Sequence, residues 1–82
     1  MVDIIVVGYG LAGRIHSKAH HDLVGHCRLA AIVESRISLH QLVREQFPGV
    51  RVYDSLEAAL KVLGSDVIVD ICVPARQNLF LA

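Results

Sequence analysis

Three glycines, Gly8, Gly10 and Gly13, stand in the stretch IIVVGYGLAGRIHSKAHHDLV, between an unbroken apolar run and a helix-like pattern. Glycines at this spacing act through the backbone. Gly8 permits a tight turn, Gly10 lets the main chain approach a pyrophosphate, and Gly13 lets the following helix pack close to the preceding strand. The amides around Leu11, Ala12 and Gly13 then lie at the positive end of a helix macrodipole, which attracts an anion without any basic side chain. Glu34 follows 21 positions after Gly13, at the end of a second apolar run. A carboxylate there accepts hydrogen bonds from the adenosine ribose hydroxyls and repels a 2′-phosphate, which favours NAD over NADP. Ser35 and Arg36 complete that side of the candidate site, and Arg36 keeps NADP open because a guanidinium can hold a 2′-phosphate or stack on adenine. The plain alternative is a sharp strand-to-helix turn with no ligand.

The other reactive residues carry less. His16 and His20 are four apart on a predicted helix, with His21 and His26 close by, a spacing that can aim two imidazoles at a metal. No cysteine or carboxylate cluster completes the site, and histidines on a solvated flank need no ligand, so no metal is expected. Asp70 interrupts an apolar strand, where a structural role, accepting hydrogen bonds from a neighbouring loop, is expected over acid–base chemistry. Ser17, Ser35 and Ser38 lack partnered histidine and acid in a nucleophile arrangement. Cys27 and Cys72 fall in apolar runs and read as buried free thiols. On strands two places apart they would be separated by about 9 to 10 Å, beyond the roughly 7 Å that a disulfide can bridge.

The elements that position these residues follow from the hydrophobic pattern. Asp3 to Val7 carries apolar residues without alternation, the mark of a strand covered on both faces. A first helix follows, with Ile15, Ala19 and Leu23 as its apolar stripe and Gly25 as its stop. Cys27 to Val33 is a second strand. Ser35 is placed to cap a second helix carrying Ile37, Leu42, Val43 and Phe47, which Pro48-Gly49 closes. Val50 to Tyr53 is a short third strand, Asp54 and Glu57 have the spacing of a capping box for a third helix ended by Gly64, and Val67 to Val73 is a fourth strand before Pro74. This alternation predicts an α/β fold, a Rossmann-like half with a parallel sheet of about four strands in the order 3-2-1-4 and helices on both faces.

Composition narrows the partners. The 82 residues contain 8 Lys and Arg against 8 Asp and Glu, so no net field draws in nucleic acid or an anionic membrane. No apolar run approaches the roughly 20 residues of a membrane span. With no basic-then-apolar leader, a cytoplasmic location is expected. Hydrophobic residues make up 54% of the chain, more than a small domain with a solvated face requires.

Taken together, VVGYGLAGRIHSKA, the acidic strand end at Glu34, VYDSLEAAL and SDVIVDICVP resemble the N-terminal domain of the Gfo/Idh/MocA family, NAD(P)-dependent oxidoreductases acting mostly on sugars and polyols. The resemblance covers nearly the whole chain. It implies that Gly8, Gly10, Leu11, Ala12 and Gly13 cradle a pyrophosphate, that Glu34 takes the adenosine ribose, and that Cys72, Val73 and Pro74 face the ribose and nicotinamide. The sequence departs from the family where Asn78 follows Pro74-Ala75-Arg76-Gln77 in place of the usual histidine. It also lacks the family's Glu-Lys-Pro motif, whose lysine assists proton transfer, and the substrate domain.

Residues 1–82 therefore read as a truncated dinucleotide-binding domain without catalytic residues. Lys18 and Lys61, the two lysines, fall on helices away from the carboxyl ends of strands, where ligands bind in open sheets. The alternative function is a noncatalytic nucleotide-binding or protein-interaction module. Because the fourth strand is apolar on both faces and forms a sheet edge, self-association or a complementing chain is expected there.

Overall fold

Ile4, Ile5 and Val6 have to be covered from both sides, and the computed structural model, which describes residues 2–23 and 25–73, provides that cover. Strands β1 (Val2–Val7), β2 (Cys27–Val33), β3 (Arg51–Tyr53) and β4 (Ile68–Ile71) form one parallel sheet in the order β3-β2-β1-β4. This is the expected α/β, Rossmann-like arrangement, with β3 and β4 shorter than the sequence suggests.

Helices α1 (Leu11–Asp22) and α2 (His40–Gln46) lie on one face. There Ile4, Val6, Leu29 and Ile32 pack with Tyr9, Val43 and Phe47, and the His21 and Phe47 rings meet at 5.4 Å. Helix α3 (Leu56–Leu63) covers the other face, where Ile5, Ala31 and Val33 surround Ala59. Neighbouring β1 residues thus feed opposite cores, the physical reason for an apolar run without alternation.

One irregularity sets the faces of β2. Ile4 pairs with Leu29 but Ile5 pairs with Ala31, so Ala30 is an extra residue in the ladder. Leu29 and Ile32, three apart, consequently reach the same core, which strict alternation forbids.

Three sequence expectations are corrected. The stripe of Ile15, Ala19 and Leu23 does not face the sheet: Ile15 is 59% exposed and Leu23 51%, while Gly13 and Ser17 are the buried residues of α1. Small residues win that face because they allow the helix backbone to approach the sheet closely. Ser35 does not cap the second helix, which instead begins with a 3₁₀ turn over Ile37–Leu39 and has no side-chain cap. The third helix is capped by Ser55, not Asp54, with the Ser55 hydroxyl accepting the Ala58 amide at 3.2 Å. Its end at Gly64, with φ of 82°, is as expected. Among the described residues no helix is long and apolar enough to cross a membrane.

Candidate functional site

The glycine turn leaves β1 at its carboxyl end, where the four parallel strands finish together. Gly8 N–H donates to the Val33 carbonyl at 2.7 Å, Cys72 N–H to the Val7 carbonyl at 2.7 Å, and Glu34 N–H to the Tyr53 carbonyl at 2.9 Å. These bonds tie the loops after β1, β2 and β4 to adjoining strands. Gly8 has φ of +97°, and a Cβ there would lie 2.9 Å from the Cys72 carbonyl oxygen. Gly13 is tighter still: a Cβ would sit 1.8 Å from the Gly8 carbonyl oxygen, so α1 rests directly on the turn.

Gly10 differs from both. A Cβ there would meet nothing within 4 Å, and the residue is the extended N-cap of α1, with φ −79° and ψ −159°. Among the described residues no group needs the space that its missing side chain leaves. The first intrahelical bond runs from Arg14 N–H to the Gly10 carbonyl at 3.0 Å, which leaves the amides of Leu11, Ala12 and Gly13 ahead of the helical ladder. The first turn of α1 holds no acidic residue, so its positive end is not neutralised from within.

Glu34 is 4% exposed, and its carboxylate is already well supplied with donors. Oε1 accepts the Tyr9 amide at 2.9 Å and an Arg36 guanidinium N–H at 2.9 Å, while Oε2 accepts the Arg36 amide at 2.7 Å and Arg36 Nε–H at 3.1 Å. Burial pushes the carboxyl up, but the Arg36 side-chain and backbone bonds, the Tyr9 amide and the Arg36 charge reverse that and hold it at about 2. Four donors fill the roughly four lone-pair sites of a carboxylate. A ribose hydroxyl therefore reaches Glu34 only when the Arg36 guanidinium swings away, and the Arg36 side chain, 60% exposed, is free enough to do so.

Two residues that the sequence reading did not single out support this corner. His40, buried on α2, donates Nε2–H to the Glu34 carbonyl at 2.6 Å. Tyr9, inside the glycine motif, is 2% exposed, stacks edge-on against Phe47 at 6.3 Å and donates its hydroxyl to Gln46 Oε1. A glycine motif says nothing of the residues between its glycines, so Tyr9 carried no signal.

A cavity of about 710 Å³ opens over the turn. It collects Gly8, Gly10, Leu11, Ala12, Glu34, Ser35, Arg36, Cys72 and Val73, nine of the eleven predicted cofactor contacts. Gly13 lies beneath the turn, not in the cavity wall. Pro74 is outside the described residues, as is Asn78. The opposite wall adds Asp54, Ser55 and Leu56, which the sequence reading treated only as a helix start.

Asp70 has different partners from those expected. Its Oδ2 lies 2.8 Å from His16 Nδ1 and 2.8 Å from His20 Nε2, both on α1 and not on a loop. Burial raises the Asp70 carboxyl, but the bonds from His20, His16 and Cys72 outweigh it and leave its pKa below the usual range. Burial first, then the neighbouring Asp70 charge, pushes the Cys72 thiol up to about 11. The histidine pair, expected to lack a carboxylate and a cysteine, shares the Asp70 carboxylate, and His16 has the Cys72 thiol close by as well. Cys27 and Cys72 are free thiols, as expected, but only Cys72 is buried and Cys27 is half-buried.

No family model matches the sequence, and no curated protein matches it. Among solved structures the chain is similar to apo scyllo-inositol dehydrogenase from Lactobacillus casei, with a TM-score of 0.74 and 20% identity over 90% of this chain. The match spans 22% of the length of that dehydrogenase. The two share their fold over this segment, as the resemblance to an inositol dehydrogenase family implied.

Proposed function

We propose that the chain is the dinucleotide-binding portion of a cytoplasmic oxidoreductase of the Gfo/Idh/MocA type, with NAD as its cofactor and a sugar or polyol as the substrate of the complete enzyme. The observation that carries this reading is Gly10: a Cβ-free cradle with nothing within 4 Å among the described residues, at the uncapped positive end of α1, opening on the cavity that Glu34, Arg36 and Cys72 line. Leu11 and Ala12 amides hold the pyrophosphate, with Gly13 setting the helix beneath it. Glu34, Ser35 and Arg36 take the adenosine ribose, and Cys72, Val73 and Pro74 the nicotinamide side. The free thiols suit a reducing compartment.

Hydride transfer requires a substrate held against the nicotinamide. Lys18 pairs with Asp22 at 3.1 Å along α1, and Lys61 lies exposed on α3, so neither borders the cavity. The 82 residues are accordingly assigned binding and no catalytic step.

NADH fluorescence titration of the wild type and of Gly10→Ala tests the reading. Its backbone angles suit alanine and the site is open, so Gly10→Ala keeps the fold while placing a methyl where the phosphate approaches. Binding in the wild type with a loss of about tenfold or more in the variant, equivalent to about 1.4 kcal/mol, is expected. Equal binding by both proteins refutes the assignment. Arg36→Ala separates the cofactors: removing the guanidinium weakens NADPH and frees Glu34 for the NADH ribose.

A further inference from the structure

His16 on α1 and Asp70 and Cys72 at the end of β4 bring three metal-binding side chains to one place, and His20, also on α1, holds the same Asp70 oxygen as His16. We infer that His16, Asp70 and Cys72 form a site for a divalent transition metal of the zinc class, with His20 hydrogen-bonded to the Asp70 carboxylate. It shares Cys72 with the candidate cofactor cavity but rests on side chains of α1 and β4 that the dinucleotide reading does not use.

The donors converge from two elements. Asp70 Oδ2 stands 2.8 Å from His16 Nδ1 and 2.8 Å from His20 Nε2, and Cys72 Sγ lies 3.5 Å from Asp70 Oδ1. Donor atoms of His16, Asp70 and Cys72 all fall within 4.8 Å of one another. Tetrahedral zinc, with bonds of about 2.0 to 2.3 Å, needs its donors roughly 3.3 to 3.6 Å apart. Widening the His16–Asp70 gap by about half an ångström and drawing the Cys72 thiol toward His16 makes room for the ion, changes within side-chain rotation, and leaves a fourth position for water.

The backbone places the ligands before any metal arrives. Residues 16 and 20 are one turn apart on a helix face. One ring presents Nδ1 and the other Nε2, so two residues at different heights reach a common point. The rings stand at 76° with centroids 6.4 Å apart, edge to face and unstacked. Asp70 is held in the sheet opposite Val6, and Cys72 is fixed by its amide bond to the Val7 carbonyl. Two residues apart, Asp70 and Cys72 project to the same side of their strand.

The chemistry of the set selects the ion. An imidazole, a carboxylate and a thiol suit zinc, or cobalt as its spectroscopic substitute, and suit calcium and magnesium poorly because those prefer oxygen alone. A bound ion joins β4, the sheet edge, to α1.

The test is titration of the full, reduced chain with Co²⁺, followed by displacement with Zn²⁺, with no dinucleotide present. Visible bands of tetrahedral cobalt should saturate at one equivalent, with a thiolate-to-cobalt charge-transfer band, and Zn²⁺ should bleach both. His16→Gln and His20→Gln should each weaken binding by about tenfold or more. Cys72→Ser should remove the charge-transfer band, and His21→Gln should titrate like the wild type. The His16 side chain is 50% exposed, so His16→Gln remains folded and isolates ligation from stability. Cobalt that stays octahedral, or variants at His16 and His20 that titrate like the wild type, would overturn the site and leave only a hydrogen-bonded cluster.

Discussion

Replacing Glu34 by glutamine should change how stability depends on pH, not merely reduce it. The carboxylate accepts four hydrogen bonds, from the Tyr9 amide, the Arg36 amide and two guanidinium N–H groups. Its pKa falls from the ordinary 4.5 to about 2. At 1.36 kcal/mol for each pH unit, that depression is worth about 3 kcal/mol when the group is ionised. Because the folded value is the lower one, this stability is fully present above pH 4.5 and is lost as pH falls from there toward 2. For 82 residues, whose total stability should be about 4 to 12 kcal/mol, the share is large. Urea unfolding of wild type and Glu34→Gln from about pH 7 to about pH 3 measures it. Other depressed carboxyls, including Asp70 and Asp22, titrate in both proteins and cancel in the difference. The gap between the two should be close to 3 kcal/mol at neutral pH and narrow by most of that amount at pH 3. A gap that stays constant would refute the assignment of Glu34 as the anchored, ionised centre of this corner.

Two other perturbations test the packing. Gly13→Ala should cost about 3 kcal/mol or more, because its Cβ would lie 1.8 Å from the Gly8 carbonyl oxygen. That corresponds to a fall of roughly 15 °C in the thermal midpoint, while Gly10→Ala should melt like the wild type in the same experiment. The edge strand β4 exposes Ile68 at 54% and Ile71 at 59%, and we propose it as a surface for self-association or for a complementing chain. Sedimentation should show concentration-dependent association that Ile68→Lys with Ile71→Lys abolishes; a monomer at all concentrations contradicts this.

The fold was legible where one residue type had one task. Ile4 to Val7 announced a strand buried on both sides, Gly8 and Gly13 proved to be positions where a side chain collides, and the strand order followed from right-handed crossovers. Most of the candidate cavity followed from the same motif. The outward face of α1 did not, because the rule that apolar residues point inward assumes that helix and sheet meet through large side chains. Gly13 and Ser17 reverse it by letting the backbone approach, and Ile15 is left outside. The Asp70 cluster was hidden for another reason: His16 and Asp70 are 54 residues apart, and no local pattern joins a helix face to a strand end. The Arg36 clamp on Glu34 was hidden too, since two neighbouring opposite charges can each face solvent as easily as each other.

The most direct test of dinucleotide binding is a backbone amide NMR titration of the chain with NADH and, separately, with NADPH. The account predicts dispersed spectra in which shifts concentrate at Gly8 to Arg14, at Glu34 to Arg36 and at Cys72 and Val73, with the tighter response to NADH. Spectra that neither cofactor moves would contradict it and leave the glycine turn as a packing device for α1.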